Sequence, residues 1–281
     1  MQKLGTRATE ESIEALREEW GLNRPFIVRY FEFIKGAVTL NFGKSYNYGM
    51  AVSSLLKEKL VINITMSLMA LLMVILVSFP LGIYVAKHTG GLIDRIFIPI
   101  NQIAMSLPPF ILGLFVTFFF GIVIRLFKPG GFVPLEAGFG KFIYFLIFPA
   151  ITLAIPKIAM CTRLLKSNIL EEAGKDYSTT AYSRGNNTTG LLYKHVLKNA
   201  VMPTVTFIGM VAADMICSGI IAEQVFSVPG LGQLLINSVS TRDYPVVEAI
   251  VLLIAFLIMI ISFITDLIHG AVDPRIRNNK M

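Results

Sequence analysis

Charge is what this chain has least of. Asp, Glu, Lys and Arg make up 15% of its 281 residues, where soluble domains carry about 25%. The charges avoid long apolar runs, and 54% of the residues are hydrophobic. A soluble globular domain is therefore excluded, and the chain reads as a multispanning helical membrane protein. Cysteine is also sparse: Cys161 and Cys217 are the two present, and both fall inside apolar segments. They read as small buried hydrophobes, with neither a disulfide nor a metal pair inferred. The three histidines, His88, His195 and His269, share no ligand spacing, so no metal site is read. The phosphate-cradling pattern GxxxxGK followed by Ser or Thr is missing, so the chain does not bind ATP in the usual way and is not read as an enzyme. Residues 1–50 are too polar for a secretory signal peptide. The net charge of +7 is not a nucleic-acid signal, because no basic stripe with interleaved aromatics stands clear of the apolar runs.

What is abundant is apolar sequence in long runs. A span needs about 20 apolar residues to cross roughly 30 Å of hydrocarbon. Five runs qualify, at about 60–86, 97–126, 141–165, 201–225 and 246–268. The second holds Pro108 and Pro109, and the third Pro149 and Pro156; these remove backbone donors and predict bent helices. Orientation follows the basic residues. Lys87 and Arg95 follow the first run, six Lys and Arg from Arg163 to Lys198 follow the third, and Arg275, Arg277 and Lys280 close the chain. The alternate loops are poorer, with Arg125, Lys128 and Lys141 in one and Arg242 in the other. The richer set is cytoplasmic. Five spans with a cytoplasmic C-terminus then place the charged segment 1–59 outside, which leads us to expect a further span before Met1.

One polar interruption is too long for a turn: RLLKSNILEEAGKDYSTTAYSRGNNTTGLLYKHVLKNAVMP, residues 163–203. Its composition is helix-forming and Gly185 lies near its middle. It predicts two helices around a turn, outside the bilayer on the basic side, displaying a surface that docks something. The blander reading is a solvated loop with a turn glycine.

The segment DYSTTAYSRGNNTTGLLYKHVLKNAVMP resembles the cytoplasmic coupling motif of ABC importer permeases of the dipeptide, oligopeptide and nickel type. The best-matching positions are Tyr177, Thr180, Ala181, Arg184, Gly185, His195, Asn199, Ala200 and Pro203. LREEWGLNRPFIVRYFEFIKG with LNFGKSY, SLPPFILG, FPAITLAIP, EQVFSVPGLGQLLINSVSTRDYPVVEA and ITDLIHGAVDPRIR are similar to further family segments, in the same order. The resemblance implies an all-α polytopic membrane protein in which residues 60–281 form the permease domain. The family has six spans and five are evident here. Lys157 stands where an apolar or small residue is expected. The resemblance further implies a bacterial inner-membrane subunit with no cofactor of its own. Its partners would be a second permease subunit, two ATPase subunits that hold ATP and magnesium, an extracytoplasmic substrate-binding protein, and the bilayer. Residues 177–190 would form the coupling helix. Ala181 would allow close packing, Gly185 a positive backbone angle, and Arg184 a pairing with an acidic groove or with helix carbonyls.

Polar residues within the runs are the candidates for a translocation path: Asn101, Gln102, Ser106, Thr152, Lys157, Asp214 and Ser218. Intramembrane charge is costly and functional by default. Asp214 reads equally as path-lining or as hydrogen-bonded packing. Lys157 lies about 9 Å along the helix from Arg163, close enough to the cytoplasmic end to snorkel. Glu223 reads as interfacial, near the outer surface. Residues 226–245 read either as a docking surface for a substrate-binding protein or as an interfacial helix sealing the external gate. Two other classes compete. A stand-alone ion-coupled secondary transporter would favour inverted repeats and several midplane acids. A structural subunit would have purely apolar or small-residue interfaces.

Overall fold

A computed structural model describes residues 23–272 together with Glu11, Glu14 and Glu18. Most of residues 1–22 in the charged N-terminal segment, and the tail residues Arg275, Arg277 and Lys280, lie outside the described residues. A helix α1, Phe26–Val38, precedes the first span. The long helices are α2 (Val52–Lys87), α5 (Phe139–Ala173), α8 (Leu197–Phe226) and α10 (Tyr244–Val272). Shorter ones are α3 (Leu92–Ser106), α4 (Pro109–Val116), α6 (Asp176–Ser183), α7 (Thr188–Leu191) and α9 (Leu231–Ser240). Among the described residues there is no strand, only an isolated bridge between Lys44 and Ala51. The protein is an all-α polytopic membrane protein. Among the described residues four helices are long and apolar enough to cross a membrane, or five spans if the broken pair α3–α4 counts as one.

That broken pair corrects the expected second span. It is not one kinked helix, because Leu92–Ser106 and Pro109–Val123 meet at 103°. The cause is local. Each residue that precedes a proline is pushed out of the helical region, and Leu107 and Pro108 sit at ψ 123° and 140°. Two adjacent residues are thus extended, where a lone proline would only bend the axis. Pro149 and Pro156, by contrast, remain inside one continuous helix, α5.

Helices α2, α5 and α8 form the central pack, with α3 against α5 and α10 against α8. Lipid is as apolar as leucine, so close packing rather than water exclusion holds such helices together. The core is aromatic at one end: Phe127, from the α4–α5 connection, stacks on Phe148 with centroids 4.2 Å apart and meets Phe145 and Phe226 at 5.9 Å. Gly219 lets α8 approach α2, because a Cβ there would press on Met66 and Asn63. A second cluster seats α9 against α2 and α10 through Val52, Leu56, Leu231, Leu234, Val246 and Ile250.

The helices overshoot the bilayer. The 35 residues of α5 span about 52 Å at 1.5 Å per residue, against roughly 30 Å of hydrocarbon. The segment Thr189–Phe226 is 38 residues of helix, since α7 and a π-helical turn, Leu192–Val196, run into α8. The expected pair of helices around a turn is corrected accordingly. Most of 163–203 is the extension of two spans, and α6 alone stands free between them.

Candidate functional site

The helix α6 is eight residues long, shorter than the expected 177–190. It stops because Gly185 turns the chain at φ 89°, a region in which an L side chain is strained. Asn186 then donates to the carbonyl of Ala181 at 3.0 Å, and the side chain of Asn187 accepts from Gly190 N–H at 2.7 Å to start the next helix. Of the residues singled out from sequence, Ala181 is buried against its own chain, whereas Thr180, Arg184 and Gly185 are exposed. Tyr177 is the mechanical joint. Its hydroxyl donates to Glu172 Oε2 at 2.7 Å and accepts from Asn199 Nδ2 at 3.2 Å. It thereby ties α6 to the last turn of α5 and the first turn of α8. Ser178 adds a bond to the carbonyl of Glu172 at 2.8 Å. The exposed rings of Tyr182 and Tyr193 were not singled out from sequence; nothing in their spacing separates them from solvated loop residues.

Above α6, polar contacts lace the helices near the same end. Asn168 Nδ2 donates to the carbonyl of Ala200 and to Thr204 Oγ1, each at 3.3 Å. Lys166 pairs with Asp94, which also accepts from Gly90 N–H at 3.0 Å. Arg163 reaches Gln102 Oε1 at 3.5 Å. These join the α2–α3 turn and α3 to α5.

Two candidates from separate spans meet: Lys157 Nζ lies 2.6 Å from Asp214 Oδ2. Lys157 is thus not free to snorkel toward the end of α5, as expected, but is engaged by a carboxylate on the neighbouring helix. Asp214 lies on a stripe of α8 that this chain leaves uncovered, with Met210, Cys217, Ile221 and Gln224 exposed beside it at three- and four-residue spacing. Cys217 is therefore not the buried hydrophobe expected; only Cys161 is buried. The remaining path candidates do not converge. Thr152 and Asn101 are buried, the former bonded to the carbonyl of Phe148 at 3.1 Å and the latter to Met105 Sδ at 3.4 Å. Ser106 is exposed and bonds the carbonyl of Gln102 at 2.8 Å. The Ser218 hydroxyl is buried with no partner among the described residues.

Glu223, expected at an interface, is fully buried. Its carboxylate accepts from Asn63 Nδ2 at 3.0 Å, Gly232 N–H at 2.7 Å and Gln233 N–H at 3.0 Å. The last two are orphan donors at the start of α9, so Glu223 caps that helix across a nine-residue gap and pins it to α2. Ser227, at φ 54°, closes α8, and Val228 N–H returns to the carbonyl of Glu223 at 2.8 Å. Asp243, in the turn between α9 and α10, pins the 45–47 segment instead. Fully buried, it accepts from Ser45 Oγ, Tyr46 N–H at 3.0 Å and Asn47 N–H at 3.1 Å. Residues 226–245 are thus a packed cap over one end of the helices.

Long helices of spanning length, one broken pair, a partly exposed ion pair between two of the long helices and a short helix clamped between the same two are the arrangement of a polytopic transport subunit. Residues 78–278 match the family of binding-protein-dependent transport system inner membrane components. A probable peptide ABC transporter permease of Sinorhizobium fredii is 34% identical over 273 residues, covering 97% of this chain and 87% of that one. The oligopeptide transport system permease AppB of Bacillus subtilis is 33% identical over 266 residues, covering 94% and 84%. The fold is shared with an inward-facing MetNI methionine ABC transporter, with a TM-score of 0.63 and 18% identity over 78% of this chain and 96% of that one. The chain belongs to the binding-protein-dependent inner membrane components, as an ABC importer permease.

Proposed function

We propose that this chain is one of two permease subunits of an ATP-driven importer of peptides, with α6 as the element that transmits ATPase closure to the spans. The observation that carries this is the clamp on α6. Tyr177 bonds both flanking long helices, so a push on α6 moves α5 and α8 together. The exposed Thr180, Tyr182, Arg184 and Tyr193 form the face offered to an ATPase groove. Aromatic and Arg side chains are the types that anchor interfaces. The ATPase pair holds ATP and magnesium and carries out hydrolysis; this chain supplies the path.

The path runs between this chain and a second permease. Its support is the exposed α8 stripe around Asp214, because a charge at that depth is costly against lipid and faces protein or water instead. The relatives' names favour peptides over nickel or metallophores as the solute. The basic loops support a cytoplasmic C-terminus, which puts α9 and the 39–51 segment on the side of the substrate-binding protein. The stand-alone transporter reading has no comparable support, since Asp214 is its one deep acid on an open face. The test is ATP-dependent dipeptide uptake by the reconstituted complex. Uptake is expected with the intact chain and lost when residues 176–183 are scrambled in a chain that still inserts. Uptake that survives scrambling would refute the role of α6.

A further inference from the structure

Among the described residues, three carboxylates that tie separate helices or segments together are enclosed, whereas the one that joins α5 to α8 midway along both helices is open. Glu223 and Asp243 are fully buried, and Asp94 has 8% of its side chain exposed against Lys166. The Asp214 side chain is 50% exposed and Lys157 22%. An open pair is a weak brace between α5 and α8, because water competes for both groups. Among the described residues no further side chain hydrogen-bonds either group. Cys161 lies within electrostatic reach of Lys157, and Cys217 within that of Asp214.

We propose that Lys157 and Asp214 form an exchangeable ion pair that takes the two charged ends of a short peptide: Asp214 receives the α-ammonium and Lys157 the α-carboxylate. This rests on the peptide-importer reading given above. The chemistry is one of charge balance. Separating the pair in the membrane leaves two uncompensated charges. A zwitterion brings one charge of each sign, so both groups stay neutralised as it passes, and the pair recloses behind it. A metal cation alone would satisfy Asp214 while confronting Lys157, and a neutral solute would satisfy neither. The reach is adequate: the termini of a dipeptide lie within about 7 Å, and the four-carbon lysine stem swings freely. The proposal also gives Cys217, three residues from Asp214 on the same open stripe, a diagnostic position.

The test uses the full complex in proteoliposomes. In the wild-type complex without its binding protein, alkylation of Cys217 by a small membrane-permeant thiol reagent is followed by mass spectrometry. Dialanine is expected to slow alkylation several-fold. N-acetyl-dialanine and dialanine amide, each lacking one charge, are expected to leave the rate unchanged. Equal protection by the blocked peptides, or none by dialanine, would overturn the proposal. The second arm is the neutral pair Lys157→Met with Asp214→Leu, which is expected to co-purify with its partners and to take up labelled dialanine more than tenfold more slowly. Wild-type or faster uptake would show that the pair only braces or seals the spans, and would overturn it too. If this variant does not assemble, the alkylation pattern decides. Absence of ATP-driven dipeptide uptake by the wild-type complex would instead refute the importer reading itself, and the proposal with it.

Discussion

Replacing Glu223 tests how the cap formed by residues 226–245 is held. In the variant Glu223→Ala three N–H groups lose their acceptor: Asn63 Nδ2, Gly232 N–H and Gln233 N–H. A buried donor left unpaired costs about 1–3 kcal/mol, so the expected loss is about 3–5 kcal/mol once water reaches part of the vacated space. Glu223→Gln behaves differently. Its amide oxygen still accepts from the two α9 N–H groups, and its NH2 meets Asn63 Oδ1, now without a partner, once the Asn63 amide turns over. What is lost is charge assistance, about 1–2 kcal/mol. Asn63→Asp alone sets two carboxylates against each other, and Glu223→Gln in the same chain relieves this by donating to the new acid. The assay is unfolding of the purified chain in mixed micelles by SDS titration, followed by far-UV circular dichroism. The expected order is wild type, Gln, the Asp/Gln double variant, then Ala and the single Asp variant. An alanine variant within about 0.5 kcal/mol of wild type, the range of an ordinary surface substitution, would refute the capping role, as would Gln and Ala variants of equal stability.

Three further outcomes follow from the same structure. Arg184→Glu is expected to abolish ATP-dependent uptake while membrane insertion is unchanged; normal uptake in vesicles would remove Arg184 from the coupling face. Gly185→Ala forces an L side chain into φ 89°, which costs about 1–2 kcal/mol. It should lower the coupling of hydrolysis to uptake without displacing the spans, and an unchanged ratio of ATP hydrolysed to solute moved would contradict this. Asp214→Asn is expected to reduce uptake with the complex still assembled, as judged by co-purification; loss of assembly would instead assign the residue to packing.

The spans were legible because a 20-residue apolar run has few alternatives in a chain with this little charge. Their true lengths were not, because the extensions of α5 and α8 beyond the bilayer are polar helix, which hydropathy reads as loop. The second span misled for a different reason. One proline in a helix bends it, but Pro108 and Pro109 in sequence extend two consecutive residues, and that difference sits in φ and ψ rather than in composition. Depth alone flagged Lys157 and Asp214, yet their pairing depends on the register of two helices 57 positions apart and could not be read. Glu223 was misjudged because its position near the end of a span looked interfacial. The signal was present in EQVFSVPGLG, where an acid is followed nine residues later by a helix start rich in glycine that needs an acceptor. Asp243 was passed over because its partners, Ser45 to Asn47, lie 196 to 198 positions away. Tyr177, chosen for its resemblance to the coupling motif, has a contact role that only the fold reveals, as its partners lie 5 and 22 residues away.

The most direct test is affinity purification of the tagged chain from its native membrane, with mass spectrometry of what accompanies it. Recovery of a second permease and ATPase subunits, lost when residues 176–183 are scrambled in a chain that still inserts, is the predicted result. Recovery of this chain alone, in detergent that preserves a known transporter complex, would contradict it.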